Sequence, residues 1–157
     1  MEQLNKIKSL AYQLTEQLEI VGLLAIELFL TNKGVILINE VAPRPHNSGH
    51  HTIESTLCSQ YENHLRAILG LPLGSTELTH QSILLNLLGD PGEIGPVVYE
   101  GLSETLSISG VYPHIYGKTD TKPYRKMGHV TIVGDNMPDL ITKYERVKSI
   151  LHAKAKK

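Results

Sequence analysis

Residues 35–50 read VILINEVAPRPHNSGH, an apolar run that ends in Asn39 and Glu40 and opens into a loop rich in proline and histidine. Short runs of valine, isoleucine and leucine are typical of β-strands. The prolines stiffen the loop, because each proline ring fixes a backbone dihedral. The stretch predicts either a strand that delivers a metal ligand beside a substrate pocket, or a strand end followed by an ordinary solvated loop.

A second acid lies in the preceding apolar run. Residues 21–30 read VGLLAIELFL, with Glu27 in the interior, and residues 31–34 read TNKG, which is typical of a turn. Two short apolar runs joined by such a turn predict an antiparallel hairpin. The hairpin carries Glu27 on its first strand and Glu40 on its second.

The register of the hairpin decides where the two acids lie. If the loop closes between Leu30 and Val35, Glu27 and Glu40 become diagonal neighbours on one face. A three-residue loop places Asn39 opposite Glu27 instead, so the register stays open.

An ionised carboxylate in an apolar strand is costly unless it is paired or bound to a metal. The oxygen atoms of Glu27, Asn39 and Glu40 suit Mg²⁺ or Mn²⁺ better than Zn²⁺. The alternative is that Glu27 forms an ion pair with a lysine or arginine elsewhere in the chain.

Length and composition exclude several function classes. The chain has 157 residues, one cysteine, a formal net charge of −1 and an estimated pI of about 6.7. A basic nucleic-acid footprint, a disulfide framework, a signal peptide and an apolar stretch of membrane-spanning length are all missing from the sequence. We therefore expect a soluble, cytoplasmic protein with no nucleic-acid or membrane partner, and we interpret the basic residues 154–157 as a frayed helix end.

The patterns predict an α+β fold with a boundary near residues 74–80, which gives domains at 1–76 and 77–157. An amphipathic helix over residues 2–19 precedes the hairpin. The elements predicted after the proline loop are a helix over 52–69 broken near Cys58 and Ser59, strands over 82–88, 111–116 and 129–133, a connection over 89–96, a short helix over 98–107, and a helix over 139–152 capped by Asp135 or Asn136.

Two clusters of side chains have alternative interpretations. His46, His50 and His51 are spaced like a zinc site on a helix, but the neighbouring prolines disfavour a helix there. A basic cluster at a turn between strands is, from the residues alone, typical of a solvated hairpin tip. Its members are Lys118, Lys122, Arg125 and Lys126.

Several blocks of the sequence, in order, resemble 5-(carboxyamino)imidazole ribonucleotide synthase, the ATPase subunit of phosphoribosylaminoimidazole carboxylase in the ATP-grasp superfamily. The blocks are NEVAPRPHNSGH at 39–50, SQYENHLRA at 59–67, GLPLG at 70–74, NLLG at 86–89, HIYGK at 114–118 and RKMGHVT at 125–131.

The resemblance implies that the chain is the C-terminal part of an ATP-grasp domain (a helix plus an antiparallel hairpin) followed by a small mixed α/β C-terminal domain. It further implies a homodimeric, ATP-dependent carbon-nitrogen ligase of de novo purine biosynthesis, which carboxylates aminoimidazole ribonucleotide with bicarbonate. Because the family has further segments before the hairpin, we expect this chain alone to be inactive.

The resemblance also implies roles for individual residues. Magnesium or manganese ions at the ATP phosphates are held by Glu27 and Glu40, with Asn39 beside them. The loop near bicarbonate and the imidazole substrate contributes Arg44, His46 and Asn47 as catalytic residues. The 5′-phosphate of the ribonucleotide is bound by Lys118, Arg125 and Lys126.

Two other functions remain open alternatives. One is the sister ATP-grasp glycinamide ribonucleotide formyltransferase, which has a similar Pro-Arg-Pro-His loop. Residues 47–50 (NSGH) and the blocks at 116–118 and 125–129 favour the synthase. The other is a non-catalytic dimerisation module.

Overall fold

The computed structural model describes residues 2–156. The chain divides into two compact units, the first ending at Thr76 and the second running from Glu77 onward, except that the short segment Glu54–Thr56 belongs to the second. The assignment of residues 1–76 and 77–157 to separate domains stays a prediction, because a compact unit need not fold on its own. No helix within residues 2–156 is long and apolar enough to cross a membrane.

The first unit contains one helix, one hairpin and a loop region with short helices. Its elements are α1 (Glu2–Gln17), β1 (Ala25–Leu30), β2 (Ile36–Ala42), a 3-10 helix (Asn47–Gly49), the start of α2 (Thr52–Ser55) and α3 (Gln60–Ile68). The predicted first helix is therefore present, and it ends two residues early.

The hairpin has a register that differs from both predicted ones. Leu28 lies opposite Ile38, but Glu27 lies directly opposite Glu40, because a β-bulge shifts the register between these two pairs. Asn39 is the extra residue of the bulge. Two residues of a bulged strand face one residue of its partner, so the two acids are direct cross-strand neighbours and not diagonal ones.

The helix predicted over residues 52–69 is broken where the sequence indicated. Residues 56–59 separate α2 from α3. Ser59 caps α3, since its side chain accepts a hydrogen bond from the Glu62 N–H at 3.2 Å. The chain leaves α3 through Gly70, whose φ of 67° is a left-handed conformation that glycine adopts at little cost.

The second unit contains two three-stranded antiparallel sheets and two helices. The sheets have the strand orders β3-β7-β5 and β6-β4-β8. The elements are β3 (Gln81–Leu88), β4 (Gly95–Glu100), α4 (Leu102–Leu106), β5 (Val111–Ile115), β6 (Asp120–Thr121), β7 (Lys126–Gly134), α5 (Met137–Ile150) and β8 (His152–Ala155). The α+β class is confirmed.

The core of the second unit lies around β7, the central strand of its sheet. Met127, Val130 and Ile132 on β7 are fully buried, as are Leu140 and Val147 on α5. The apolar side chains of α5 lie on one helical face and cover β7. His129 and Thr131 alternate with Val130 and Ile132 along the same strand and are also buried.

Two predictions for this unit are wrong. The helix predicted over 98–107 is only α4, and the residues before it form β4. Glycine and proline at 95 and 96 concealed the strand, although Val97 to Tyr99 favour one. Residues 154–156 of the basic tail are not a frayed helix end, because α5 ends at Ile150 and β8 pairs with β4, and Lys157 lies outside the described residues.

The start of α5 lies two residues before the predicted one. Asn136 is its N-cap, and its Oδ1 accepts a hydrogen bond from the Asp139 N–H at 3.0 Å. Of the two caps predicted, Asn136 is therefore the correct one.

Candidate functional site

Glu27 and Glu40 face each other across the hairpin of the first unit. Their side chains are 39% and 55% exposed, so both carboxylates are accessible to solvent. Like charges directly opposite each other destabilise an antiparallel pair. The arrangement therefore favours a cation between the two side chains.

His46 comes from the proline-rich loop and lies against both acids. Its Nδ1 is 3.6 Å from Glu27 Oε1, and its Nε2 is 3.5 Å from Glu40 Oε1. Ligand atoms from these three residues lie within 4.8 Å of one another, which is close enough to surround one metal ion. Their donors are two carboxylate oxygens and one imidazole nitrogen, a set that suits Mg²⁺ or Mn²⁺ through the oxygens.

Asn39 joins the same group through the bulge. Its Nδ2 donates a hydrogen bond to Glu27 Oε2 at 3.3 Å. The amide therefore orients the Glu27 carboxylate, whose other oxygen faces His46. The residues predicted to bind metal and nucleotide are thus together in the structure.

Gln60 holds the loop that carries His46, and sequence analysis gave it no role. Its Oε1 accepts from the His46 N–H at 3.0 Å, and its Nε2 donates to the His46 carbonyl at 2.9 Å. A side chain at Gly49 would come within 2.6 Å of Gln60 Oε1 and would displace the Gln60 amide. In the sequence Gln60 is only a glutamine directly after a helix cap, and this pattern is too common to identify a functional residue.

Arg44 and Asn47 flank His46 on the same loop. Arg44 is exposed, and its Nη1 donates to the Pro45 carbonyl at 3.1 Å. Asn47 is half-buried and begins the 3-10 helix. The exposed guanidinium can bind an oxyanion with two parallel hydrogen bonds.

The alternative zinc site of His46, His50 and His51 does not form among residues 2–156. His46 lies with Glu27 and Glu40, whereas His50 and His51 are not part of that group. His50 instead lies parallel to the Tyr61 ring, with centroids 5.8 Å apart, and its Nδ1 is 2.9 Å from the Tyr61 hydroxyl. Burial raises the pKa of Tyr61, so this hydroxyl remains protonated at neutral pH.

The second unit carries the basic turn, defined as residues 118–126. Lys118 Nζ donates to the Lys126 carbonyl, and Arg125 Nη1 donates to the Asp120 carbonyl at 2.8 Å. These bonds hold the cationic groups of residues 118 and 125 against the backbone of the basic turn. Oxyanions of a phosphate group are bound by such clustered cations.

Backbone hydrogen bonds fix the shape of the basic turn. The Gly89 N–H donates to the Arg125 carbonyl at 2.8 Å, and the Tyr124 N–H donates to the Gly89 carbonyl at 2.9 Å. A side chain at Gly89 would come within 2.3 Å of the Lys122 carbonyl. Tyr124 itself has a φ of 61°, a left-handed conformation that is uncommon for a bulky residue.

Comparison with known proteins relates both units to one family. Residues 1–61 match the ATP-grasp domain, and residues 82–143 match the phosphoribosylaminoimidazole carboxylase C-terminal domain. The N5-carboxyaminoimidazole ribonucleotide synthase of Aquifex aeolicus is 44% identical over 154 residues, which is 98% of this chain. The chain belongs to the N5-carboxyaminoimidazole ribonucleotide synthase family.

Solved structures of the synthase family have the same fold. The synthetase from Thermotoga maritima matches 99% of this chain with a TM-score of 0.89 and 49% sequence identity. The synthase from Aspergillus clavatus, solved in complex with ADP and 5-aminoimidazole ribonucleotide, matches 82% of the chain with a TM-score of 0.69 and 36% identity.

This chain spans less than half the length of these synthases. It covers 40% of the A. aeolicus protein, 44% of the T. maritima chain and 34% of the A. clavatus chain. The family name favours the synthase over the two alternatives, glycinamide ribonucleotide formyltransferase and a non-catalytic dimerisation module.

Proposed function

We propose that this chain supplies part of the active site of an ATP-dependent ligase that carboxylates aminoimidazole ribonucleotide with bicarbonate in purine biosynthesis. The observation that carries the proposal is the direct opposition of Glu27 and Glu40 with His46 against both, in a member of the synthase family. Two acids on one hairpin, beside a basic residue of a stiff loop, are suited to phosphoryl transfer to an oxyanion.

Glu27 and Glu40 would hold Mg²⁺ or Mn²⁺ together with ATP, and Asn39 would lie beside the phosphates. The donor set fits a hard cation, since the carboxylates are close to each other and only half-exposed. When bound, the cation neutralises charge on the transferred phosphoryl group. Asn39 keeps the Glu27 carboxylate oriented through its 3.3 Å hydrogen bond.

Arg44, His46 and Asn47 would bind bicarbonate and the species formed from it. In the proposed reaction a bicarbonate oxygen attacks the terminal phosphorus of ATP and ADP leaves, which gives carboxyphosphate. The exocyclic amine of the ribonucleotide then attacks the carbon, and phosphate leaves. Arg44 stabilises the oxyanions, and His46 accepts the proton that the amine loses.

Lys118, Arg125 and Lys126 would bind the 5′-phosphate of the ribonucleotide. The hydrogen bonds of Lys118 and Arg125 to backbone carbonyls support this role, because they hold the cationic groups in place before the substrate arrives. A homodimer and a cytoplasmic location stay predictions. Sedimentation analysis of the molecular mass in solution checks the homodimer.

A chimera tests the metal site. In it this chain replaces the segment of the T. maritima synthetase that it matches, and ADP formation is measured with ATP, bicarbonate and aminoimidazole ribonucleotide. Glu40→Gln is expected to lower kcat by about 100-fold or more, because a ligand of the charge-neutralising cation is lost. Glu16→Gln, an exposed change on α1, is the matched control.

Binding of Mn²⁺ to this chain, followed by electron paramagnetic resonance, gives a readout that is independent of turnover. We expect Glu27→Gln and Glu40→Gln to weaken Mn²⁺ binding and Glu16→Gln to leave it unchanged. Near-normal turnover and unchanged Mn²⁺ binding in Glu40→Gln would reject the assignment of this residue.

A further inference from the structure

Two histidines of the second unit lie side by side on adjacent strands. His114 on β5 pairs in register with His129 on β7, and their rings stack with centroids 4.5 Å apart and an interplanar angle of 12°. His129 is 2% exposed. The stacked contact therefore packs the two rings against each other across the two strands.

Glu54 contacts one ring of this stacked pair. Its Oε1 lies 2.7 Å from His114 Nε2, and its side chain is only 11% exposed. This contact orients the His114 ring, and the His129 ring stacks against it.

Tyr116 connects His129 to the basic turn. The Tyr116 hydroxyl is 2.9 Å from His129 Nδ1. The hydrogen bond between this hydroxyl and the buried ring nitrogen fixes the orientation of the Tyr116 side chain.

The Tyr116 ring in turn lies near the ammonium group of Lys118. Lys118 Nζ is 5.9 Å from the ring centroid, within the range of a cation–π contact. Gly117 between them has a φ of 68°, and a side chain there would meet no atom within 4 Å. Glycine at 117 is therefore required by the backbone turn that folds Lys118 back toward the ring, and not by packing.

We propose that Glu54, His114, His129 and Tyr116 form a positioning chain that fixes the Lys118 ammonium where it meets the substrate phosphate. The proposal rests on the proposed function, because it gives Lys118 the phosphate as its ligand. Tyr116 is the positioning residue in contact with Lys118, and the other three orient its hydroxyl.

The physical reason for such a chain is the flexibility of lysine. A lysine side chain has four rotatable bonds and loses much rotamer freedom when it binds an anion. Contact with the Tyr116 ring and donation to the Lys126 carbonyl restrict it beforehand. Loss of a cation–π contact at a partly exposed site is expected to weaken phosphate binding about two- to fivefold.

Titration of this chain with ribose 5-phosphate, followed by nuclear magnetic resonance, tests the proposal. The variants are Tyr116→Leu, which removes the ring, and Tyr116→Phe, which keeps the ring and removes the hydroxyl. Tyr112→Leu is the matched control, because Tyr112 lies on β5, four residues before Tyr116, and is similarly exposed. The side-chain resonances of Lys118 provide a readout in the absence of any ligand.

We expect upfield-shifted Lys118 methylene resonances in the unaltered chain, caused by the Tyr116 ring current. Tyr116→Leu should return them to random-coil positions and weaken ribose 5-phosphate binding about two- to fivefold. Tyr116→Phe should keep the shift and weaken binding less, and Tyr112→Leu should change neither.

Two contrary results separate the proposal from the function on which it rests. If Lys118→Ala weakens ribose 5-phosphate binding but Tyr116→Leu does not, the positioning role is wrong and the phosphate site stands. If Lys118→Ala leaves binding unchanged, the phosphate site is wrong and the positioning role falls with it. Lys118 resonances at random-coil positions in the unaltered chain would also overturn the positioning role.

Discussion

At the residue scale, Gln60 has a larger structural role than its place in the sequence indicates. Its buried side-chain amide forms reciprocal hydrogen bonds with the backbone of His46. It also contacts Gly49, which has no side chain to displace it. The geometry of His46 against the two acids therefore depends on a residue that touches neither acid.

Replacement of Gln60 tests this dependence. Gln60→Ala leaves buried backbone groups of His46 without these partners and is expected to lower the free energy of unfolding by about 1–3 kcal/mol. Urea denaturation measures the change, and Mn²⁺ binding should weaken because His46 is no longer held. Gln13→Ala, an exposed change on α1, is the control. Equal stability of the two variants would contradict the role of Gln60.

At the element scale, the sequence predicted most elements of the fold but not the details that depend on pairing. The hairpin and the helix breaks could be found from apolar runs and from turn or cap residues. The bulge at Asn39 could not, because apolar runs and turn residues predict that two strands pair but not the register in which they pair. The strand β8 was also missed, since only its pairing with β4 distinguishes it from a basic helix end.

Likewise, the candidate site could be predicted only in part. Glu27, Glu40 and the loop residues stood out because acids and prolines are unusual beside apolar strands. Gln60 and Glu54 did not stand out, since their partners are 14 and 60 residues away in the sequence. Long-range contacts of this kind leave no local pattern.

The strand assignment at the end of the chain has a testable consequence. Ala153 is fully buried and pairs with Tyr99, whereas the Lys154 ammonium lies 2.6 Å from a Glu100 carboxylate oxygen at the surface. Ala153→Asp is expected to destabilise the second unit by about 3 kcal/mol or more, because it buries a charge. Lys154→Gln should lower the free energy of unfolding by less than about 1 kcal/mol, because it removes only a surface ion pair. Similar urea midpoints for both variants would contradict the strand and support a frayed end.

At the scale of the whole molecule, the boundary between the two units is not a single point in the sequence. The second unit includes Glu54–Thr56, which contact it through an ion pair and backbone hydrogen bonds. The Thr79 N–H donates to the Ser55 carbonyl at 2.9 Å, and Thr56 forms a bridge with Leu78. A domain that starts at residue 77 lacks these contacts.

A comparison of two polypeptides tests the predicted domain. Residues 77–157 should fold, because the apolar core around β7 lies entirely within them. The free energy of unfolding of residues 52–157 should exceed that of residues 77–157 by about 1–3 kcal/mol, since the longer polypeptide retains the Glu54–His114 pair and the backbone hydrogen bond of Ser55. Urea denaturation of both measures the difference. Failure of residues 77–157 to fold would contradict the predicted domain, and equal stability would contradict the role of residues 54–56.

The measurement that tests the central claim most directly is the substrate dependence of ADP formation by the T. maritima chimera. We predict that ADP forms only when bicarbonate and aminoimidazole ribonucleotide are both present, and that it does not form with glycinamide ribonucleotide and formate. ADP formation with the second pair of substrates, or undiminished formation in buffer depleted of carbon dioxide and bicarbonate, would contradict the claim that this chain serves a bicarbonate-dependent carboxylation.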